Sequence, residues 1–174
     1  MTNATRRAVL AAGAAALAPR LGWSAAGAPA FLTAAKHPNG GYALHGLDTD
    51  GASLFQLPLP SRGHAAAAHP RRPEAVAFAR RPGRFALVID CAEGSETARL
   101  APPEGRTFAG HGAFSPDGAL LFTTENAFEE GEGRLGVWDA AAGYARIGEV
   151  ATQGVGPHEV ILAPEGDALI VANG

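Results

Sequence analysis

Apolar and polar positions along this chain fall into short alternating runs, and each run is closed by residues that suit tight turns. The first three runs, 31–37, 41–48 and 52–59, are separated by Pro38-Asn39-Gly40 and Thr49-Asp50-Gly51. Gly and Asn tolerate positive φ and Pro presets φ, so the pattern predicts three successive antiparallel strands. Four more strands are predicted at 63–69, 74–80, 85–90 and 97–100, and another four at 111–114, 119–125, 134–139 and 144–150. Strands at 158–163 and 168–172 open a further group, and the chain stops in mid-unit.

The grouping is periodic. His64, His111 and His158 stand 47 residues apart, and each opens a comparable segment. Units of four short strands at a period in the forties match a β-propeller, in which each unit is one radial antiparallel sheet, or blade. With strands lettered a to d from the axis outward, the first unit supplies b, c and d, and the later ones begin at a. The expected fold is all-β, with residues 31–174 forming about three and a half four-stranded blades. A closed ring typically needs about 4–8 blades, so this reads as the N-terminal part of a longer propeller. The alternative is a small antiparallel β-sandwich complete at 174 residues, against which the histidine spacing weighs. A truncated reading frame is a third possibility, whose open arc would leave unpaired strand edges.

Composition adds an address. Thr5-Arg6-Arg7-Ala8-Val9-Leu10 places paired arginines before an alanine-rich run, followed by Ser24-Ala25-Ala26 and Ala28-Pro29-Ala30, small residues that a signal peptidase accepts. Residues 1–30 therefore read as a twin-arginine export signal, which predicts a periplasmic protein. The apolar run is shorter than the roughly 20 residues of a spanning helix, so no membrane span is expected after cleavage. Setting aside the leader's Arg6, Arg7 and Arg20 leaves 11 basic against 17 acidic residues, a charge of −6. That balance argues against the basic face a phosphate backbone requires, so no nucleic acid is expected as partner. Cys91 is the only cysteine, which excludes an intrachain disulfide.

The spaced histidines carry the candidate chemistry. At the start of successive a-strands, His64, His111 and His158 would lie on one rim of the central channel, where imidazoles could converge on a metal or an anionic ligand. Whole-blade separations set them far apart for one ion with Zn–N bonds of about 2.1 Å, so the competing expectation is hydrogen bonding of each ring at its own blade entrance. Glu159, directly after His158, extends the same rim. Glu125-Asn126 closes one b-strand as Asn173 closes the next, and these polar residues either join the rim or satisfy loop backbone. Asp48, Asp90 and Asp139 end the c-strands, where a carboxylate accepts N–H bonds from its own turn. Glu129, Glu130 and Glu132 read as a solvated hairpin tip. Cys91 lies beside Glu93, whose charge would raise the thiol pKa and make it a poor nucleophile. No Gly-x-Ser-x-Gly elbow, Walker loop, Rossmann fingerprint, Cys-x-x-Cys-His or His-Glu-x-x-His motif occurs, so no residue is assigned as catalytic and no cofactor is assigned.

Gly110-His111 and Trp138-Asp139 resemble the two dipeptides of the WD40 repeat, which are structural in that family. At Phe122-Thr123-Thr124-Glu125-Asn126, Gly136-Val137-Trp138-Asp139, Ile147-Gly148-Glu149 and Gly156-Pro157-His158-Glu159, the chain resembles the bacterial domain-of-unknown-function family 1513 (DUF1513), from about residue 31 to residue 174. The resemblance implies a longer exported propeller of the YVTN or quinoprotein-like type, often encoded beside imelysin-type periplasmic iron-uptake proteins. It brings no established catalytic residues. The expected function is binding or interaction in the periplasm, linked to iron acquisition and iron-uptake partners. The alternative is a propeller enzyme, a lactonase or quinoprotein-like oxidoreductase completed by further blades.

Overall fold

The computed structural model describes residues 29–174, and the leader-like stretch around Arg6 and Arg7 lies outside the described residues. Every regular element described is a strand. β1 (Phe31–Lys36), β2 (Tyr42–Leu47) and β3 (Ser53–Leu59) form a three-stranded antiparallel sheet. β4 (Gly63–Ala68), β5 (Glu74–Ala79), β6 (Ala86–Asp90) and β7 (Ser95–Leu100) form a four-stranded sheet in chain order. So do β8 (Thr107–Phe114), β9 (Leu120–Ala127), β10 (Glu132–Asp139) and β11 (Ala145–Ala151). β12 (Pro157–Leu162) and β13 (Leu169–Asn173) pair as a two-stranded sheet. These open meanders are propeller blades, the first without its a-strand and the last with only a and b, and not the layers of a sandwich.

The blades stack through alternate residues of the same strands. Successive strand side chains point to opposite faces. In β5 and β6, Ala75, Ala77, Ala79, Leu87 and Ile89 pack with Leu44, Leu57 and Leu59 of the first sheet. Their neighbours Val76, Phe78, Ala86 and Val88 pack with Phe108, Phe114, Leu121 and Trp138 on the other side. A strand buried on both faces needs an uninterrupted apolar run, which is why β5 reads Ala75-Val76-Ala77-Phe78-Ala79. The outer strand β11 meets solvent along most of its length, which leaves Ile147 and Val150 exposed.

Turn chemistry and blade contacts match the residues that specify them. Asp48 Oδ1 accepts from the N–H groups of Asp50 and Ala52, Asp90 Oδ1 from Ala92 and Glu93, and Asp139 Oδ1 from Ala141 and Ala142. All three aspartates are thus turn caps. Trp138 is buried between blades, with its Nε1–H donating to Thr123 Oγ1 at 2.9 Å. Hydrogen bonds across the blade boundary run from Tyr144, whose hydroxyl donates to Glu74, and from Arg72 Nη2, which reaches the Ala140 carbonyl as well as Glu74 Oε1 of its own blade.

One boundary differs from the sequence expectation. β8 begins at Thr107, four residues before the predicted start at 111, because Thr107 and Phe108 pair with Asn126 and Glu125 before the ladder is interrupted. That interruption builds the site.

Candidate functional site

The innermost strands β4, β8 and β12 lie side by side, with β8 in the middle. Each carries its histidine where the ladder slips. On β4, Gly63 pairs with Ala79 and Ala66 with Ala77, so three steps face two and one residue is extra. On β12, Pro157 pairs with Asn173 and Glu159 with Ala172, again with one residue extra. On β8, Phe108 pairs with Glu125 and Gly112 with Thr123, so four steps face two. His64, His158 and His111 fall inside these irregularities. A β-bulge releases a residue from strict alternation and re-aims its side chain, so three rings that begin a blade apart can turn toward one point.

Gly110 makes the approach possible. Its φ of 109° is forbidding for an L side chain, and a Cβ there would lie 2.7 Å from His64 Cδ2. The His64 ring occupies the space that a side chain at 110 would need.

The result departs from the expectation of separated rings. One ring nitrogen of each of His64, His111 and His158 lies within 4.8 Å of the others. The ring centroids are 4.8 Å apart for His64 and His111, 5.0 Å for His111 and His158, and 5.8 Å for His64 and His158. Nitrogens around a tetrahedral ion with bonds of about 2.1 Å stand about 3.4 Å apart, so the rings must close further on a metal. His64 and His158 are exposed, which leaves their rotamers free to do it.

The strand-entrance bonds at His111 come from its backbone and not from its ring. His111 N–H donates to Thr124 Oγ1, and the Thr124 hydroxyl donates to the His111 carbonyl. The ring Nδ1 instead meets Glu159 Oε2 at 3.0 Å. A carboxylate can only accept, so Nδ1 carries the hydrogen and Nε2 presents its lone pair. Nε2 is buried and has no hydrogen-bond partner among the described residues. An imidazole whose one nitrogen is fixed by a carboxylate while the other is left open is the arrangement that orients a metal ligand. Glu159 is itself held by the Val160 N–H at 3.0 Å. Beside the cluster, a cleft of about 520 Å³ runs between the inner strands, walled by Ala65, Ala67, Ala113, His111 and Glu159.

Electrostatics favour the neutral form of His64 and of His111. Burial lowers the pKa of His64, and the other two histidines together with Arg80 and Arg62 lower it further. Burial also lowers that of His111, with Glu159 acting in the opposite direction. From the ordinary value of 6.5 down to the depressed values, the unfolded chain takes up protons that the folded chain refuses. Stability is therefore lost as pH falls through that window, and the loss ends once the folded rings protonate. A His64→Gln/His111→Gln variant is expected to show a flatter dependence of urea stability on pH, from about pH 7 to about pH 5, than the parent. Equal slopes would show that these rings do not titrate differently in the two states.

With this geometry in place, comparison with known proteins supplies the family. A family profile described as "Protein of unknown function (DUF1513)" matches residues 57–174. The chain belongs to the DUF1513 family. The three bulged histidines, Glu159 and Gly110 all fall within the matched segment. No curated protein matches the sequence. Among solved structures, the DUF1513 chain is similar to Kuenenia stuttgartiensis hydrazine synthase, with a TM-score of 0.63 and 16% identity, over 76% of this chain and 36% of that one. The likeness is one of fold, and this chain spans about a third of the length of that neighbour.

Other candidates lie away from the rim of this DUF1513 chain. Glu125 is fully buried and shares a face with Leu121 and Thr123, between blades. Its carboxylate receives Arg146 Nη1 and Nη2 at 2.6 and 3.1 Å and the Thr123 hydroxyl at 3.0 Å. Asn173 exchanges hydrogen bonds with Thr152, whereas the buried Asn126 amide has no partner among the described residues. Glu129, Glu130 and Glu132 are exposed as expected, with Arg134 paired to Glu130 and Glu132. The Cys91 thiol is pushed up to about 12, first by burial and then by Asp90 and Glu74, not by Glu93. A histidine that sequence reasoning passed over, His69, is the structural one. Its Nδ1 accepts from the N–H groups of Arg71 and Arg72, and its Nε2 lies 3.0 Å from the Gly118 carbonyl.

Proposed function

We propose that this DUF1513 propeller is a binding module that holds a first-row divalent transition metal on its histidine rim, in the periplasm, in the service of iron acquisition. The observation that carries this reading is the convergence of three imidazole nitrogens within 4.8 Å. Imidazole suits zinc, copper, nickel and iron, and Glu159 supplies the outer carboxylate that fixes a ligating ring. The paired arginines of the leader pattern and the iron-uptake neighbours implied by the family support the setting and the partners. A propeller enzyme, lactonase or quinoprotein-like oxidoreductase, would need further ligands or carboxylates. The carboxylate in contact with the cluster among the described residues is that of Glu159.

Titration of the purified chain with Co²⁺ or Zn²⁺ near pH 7.5, followed by calorimetry, tests the reading. One ion per chain is expected, with affinity falling as pH falls because an imidazole must be unprotonated to ligate. The absence of saturable binding would overturn it.

A further inference from the structure

On the side of the cluster away from Glu159, His64 borders a second cavity of about 460 Å³, whose walls include Lys36, Tyr42, Arg62 and Gly63. Arg80 is adjacent through its backbone, whose N–H donates to the Arg62 carbonyl at 2.8 Å. The balance of charge here is one-sided. Lys36, Arg62 and Arg80 are exposed, and none of them forms an ion pair among the described residues. Arg72, Arg99, Arg106, Arg134 and Arg146 are each paired with a carboxylate, and Arg71, Arg81 and Arg84 are exposed without an ion pair among the described residues, so what distinguishes Lys36 and Arg62 is the cavity that they share with His64.

Three neutral imidazoles leave the full double charge on a bound divalent ion, and they leave at least one coordination position open. Unpaired cations beside that ion oppose its binding unless an anion comes between them. Glu159 does not fill this role, because it lies on the His111 side and is engaged by the His111 ring and the Val160 N–H. An Arg fork matches a carboxylate bidentately, and Lys adds a point charge on a flexible stem.

We infer that the rim binds its metal together with a small carboxylate, one oxygen on the ion and the rest of the anion held in the Lys36–Arg62 cavity beside His64. This deepens the metal-binding reading and rests on it. No bond is made or broken in the step: the carboxylate takes the position that water would otherwise occupy on the ion. The module would then recognise a metal carboxylate complex in preference to the bare ion, and Arg62 and Lys36 would set that preference.

The test follows the visible absorption of Co²⁺ bound to the chain, with malonate as the carboxylate probe. In the parent protein, malonate is expected to tighten Co²⁺ binding about tenfold and to change the band shape, a coupling of ordinary size between two ligands. A Lys36→Gln/Arg62→Gln variant is expected to bind Co²⁺ alone at least as tightly, since like charge has been removed, and to lose the malonate effect. Both positions are exposed, so the fold is retained. If malonate merely draws Co²⁺ into solution and lowers occupancy equally in parent and variant, the co-ligand inference is overturned while the metal site stands. If the parent shows no Co²⁺ band with or without malonate, the metal site falls and the co-ligand with it.

Discussion

Replacing His111 by alanine is expected to weaken metal binding by more than about 100-fold, beyond the roughly 10–100-fold that loss of an outer carboxylate costs. His111 is the middle ring of the three and, among the described residues, the only one fixed by a carboxylate, with Glu159 on Nδ1 and no partner on the buried Nε2. Removing it leaves two exposed imidazoles and no oriented donor. Glu159→Gln keeps all three rings but loses the fixed tautomer, and is expected to fall within the 10–100-fold range. The same His111→Ala substitution should change the urea stability of the metal-free protein by only about 1 kcal/mol, because an unpaired buried nitrogen contributes nothing favourable and its removal offsets part of the lost packing. Retained binding with a large loss of stability would assign the ring to architecture.

Arg146→Met is expected to destabilise the protein by about 3–5 kcal/mol. Glu125 is fully buried, and Arg146 makes both of its close ion-pair contacts, while Arg106 stands off at 4.0 Å. Without Arg146, a carboxylate is left between two blades with a hydroxyl as its remaining close partner. The Arg146 guanidinium also lies 5.3 Å from the Trp138 ring centre, so the substitution loosens that ring as well. Adding Glu125→Gln should restore much of the loss, because a neutral amide removes the uncompensated charge. A urea denaturation series on the two single variants and the double variant measures this, and a loss below about 1 kcal/mol for Arg146→Met would contradict it.

The sequence made the blades legible because each layer depends on a periodic property. The 47-residue spacing, the Asp caps and the double-sided apolar run at Ala75–Ala79 all express requirements that repeat from blade to blade. The site was legible only as a set of names. His64, His111, His158 and Glu159 stood out by position, but a strand in register and a strand with a bulge have the same composition, so the turning of the rings could not be foreseen. Gly63 before His64, Gly110 before His111 and Gly156 two before His158 are the available signal, since Gly inside a strand pattern often marks a bulge. Glu125 was misplaced for a different reason. A carboxylate at a strand end looks like rim chemistry until its partner, 21 residues away on β11, is known. The cavity lined by Lys36 and Arg62 joins two different blades, which no local pattern connects.

The bulges also separate two things that evolution usually has to change together. A residue that sits outside the ladder contributes no core side chain, and the backbone bonds that His111 makes with Thr124 are open to any residue, so the sheet places little demand on its identity. On β4 and β12, where one residue is extra, excising it would bring the strand back into register and withdraw its ring from the axis, leaving the blade intact. Relatives with the same propeller can therefore gain, lose or retune this centre by single insertions, deletions or exchanges at three positions, while selection on the scaffold proceeds undisturbed.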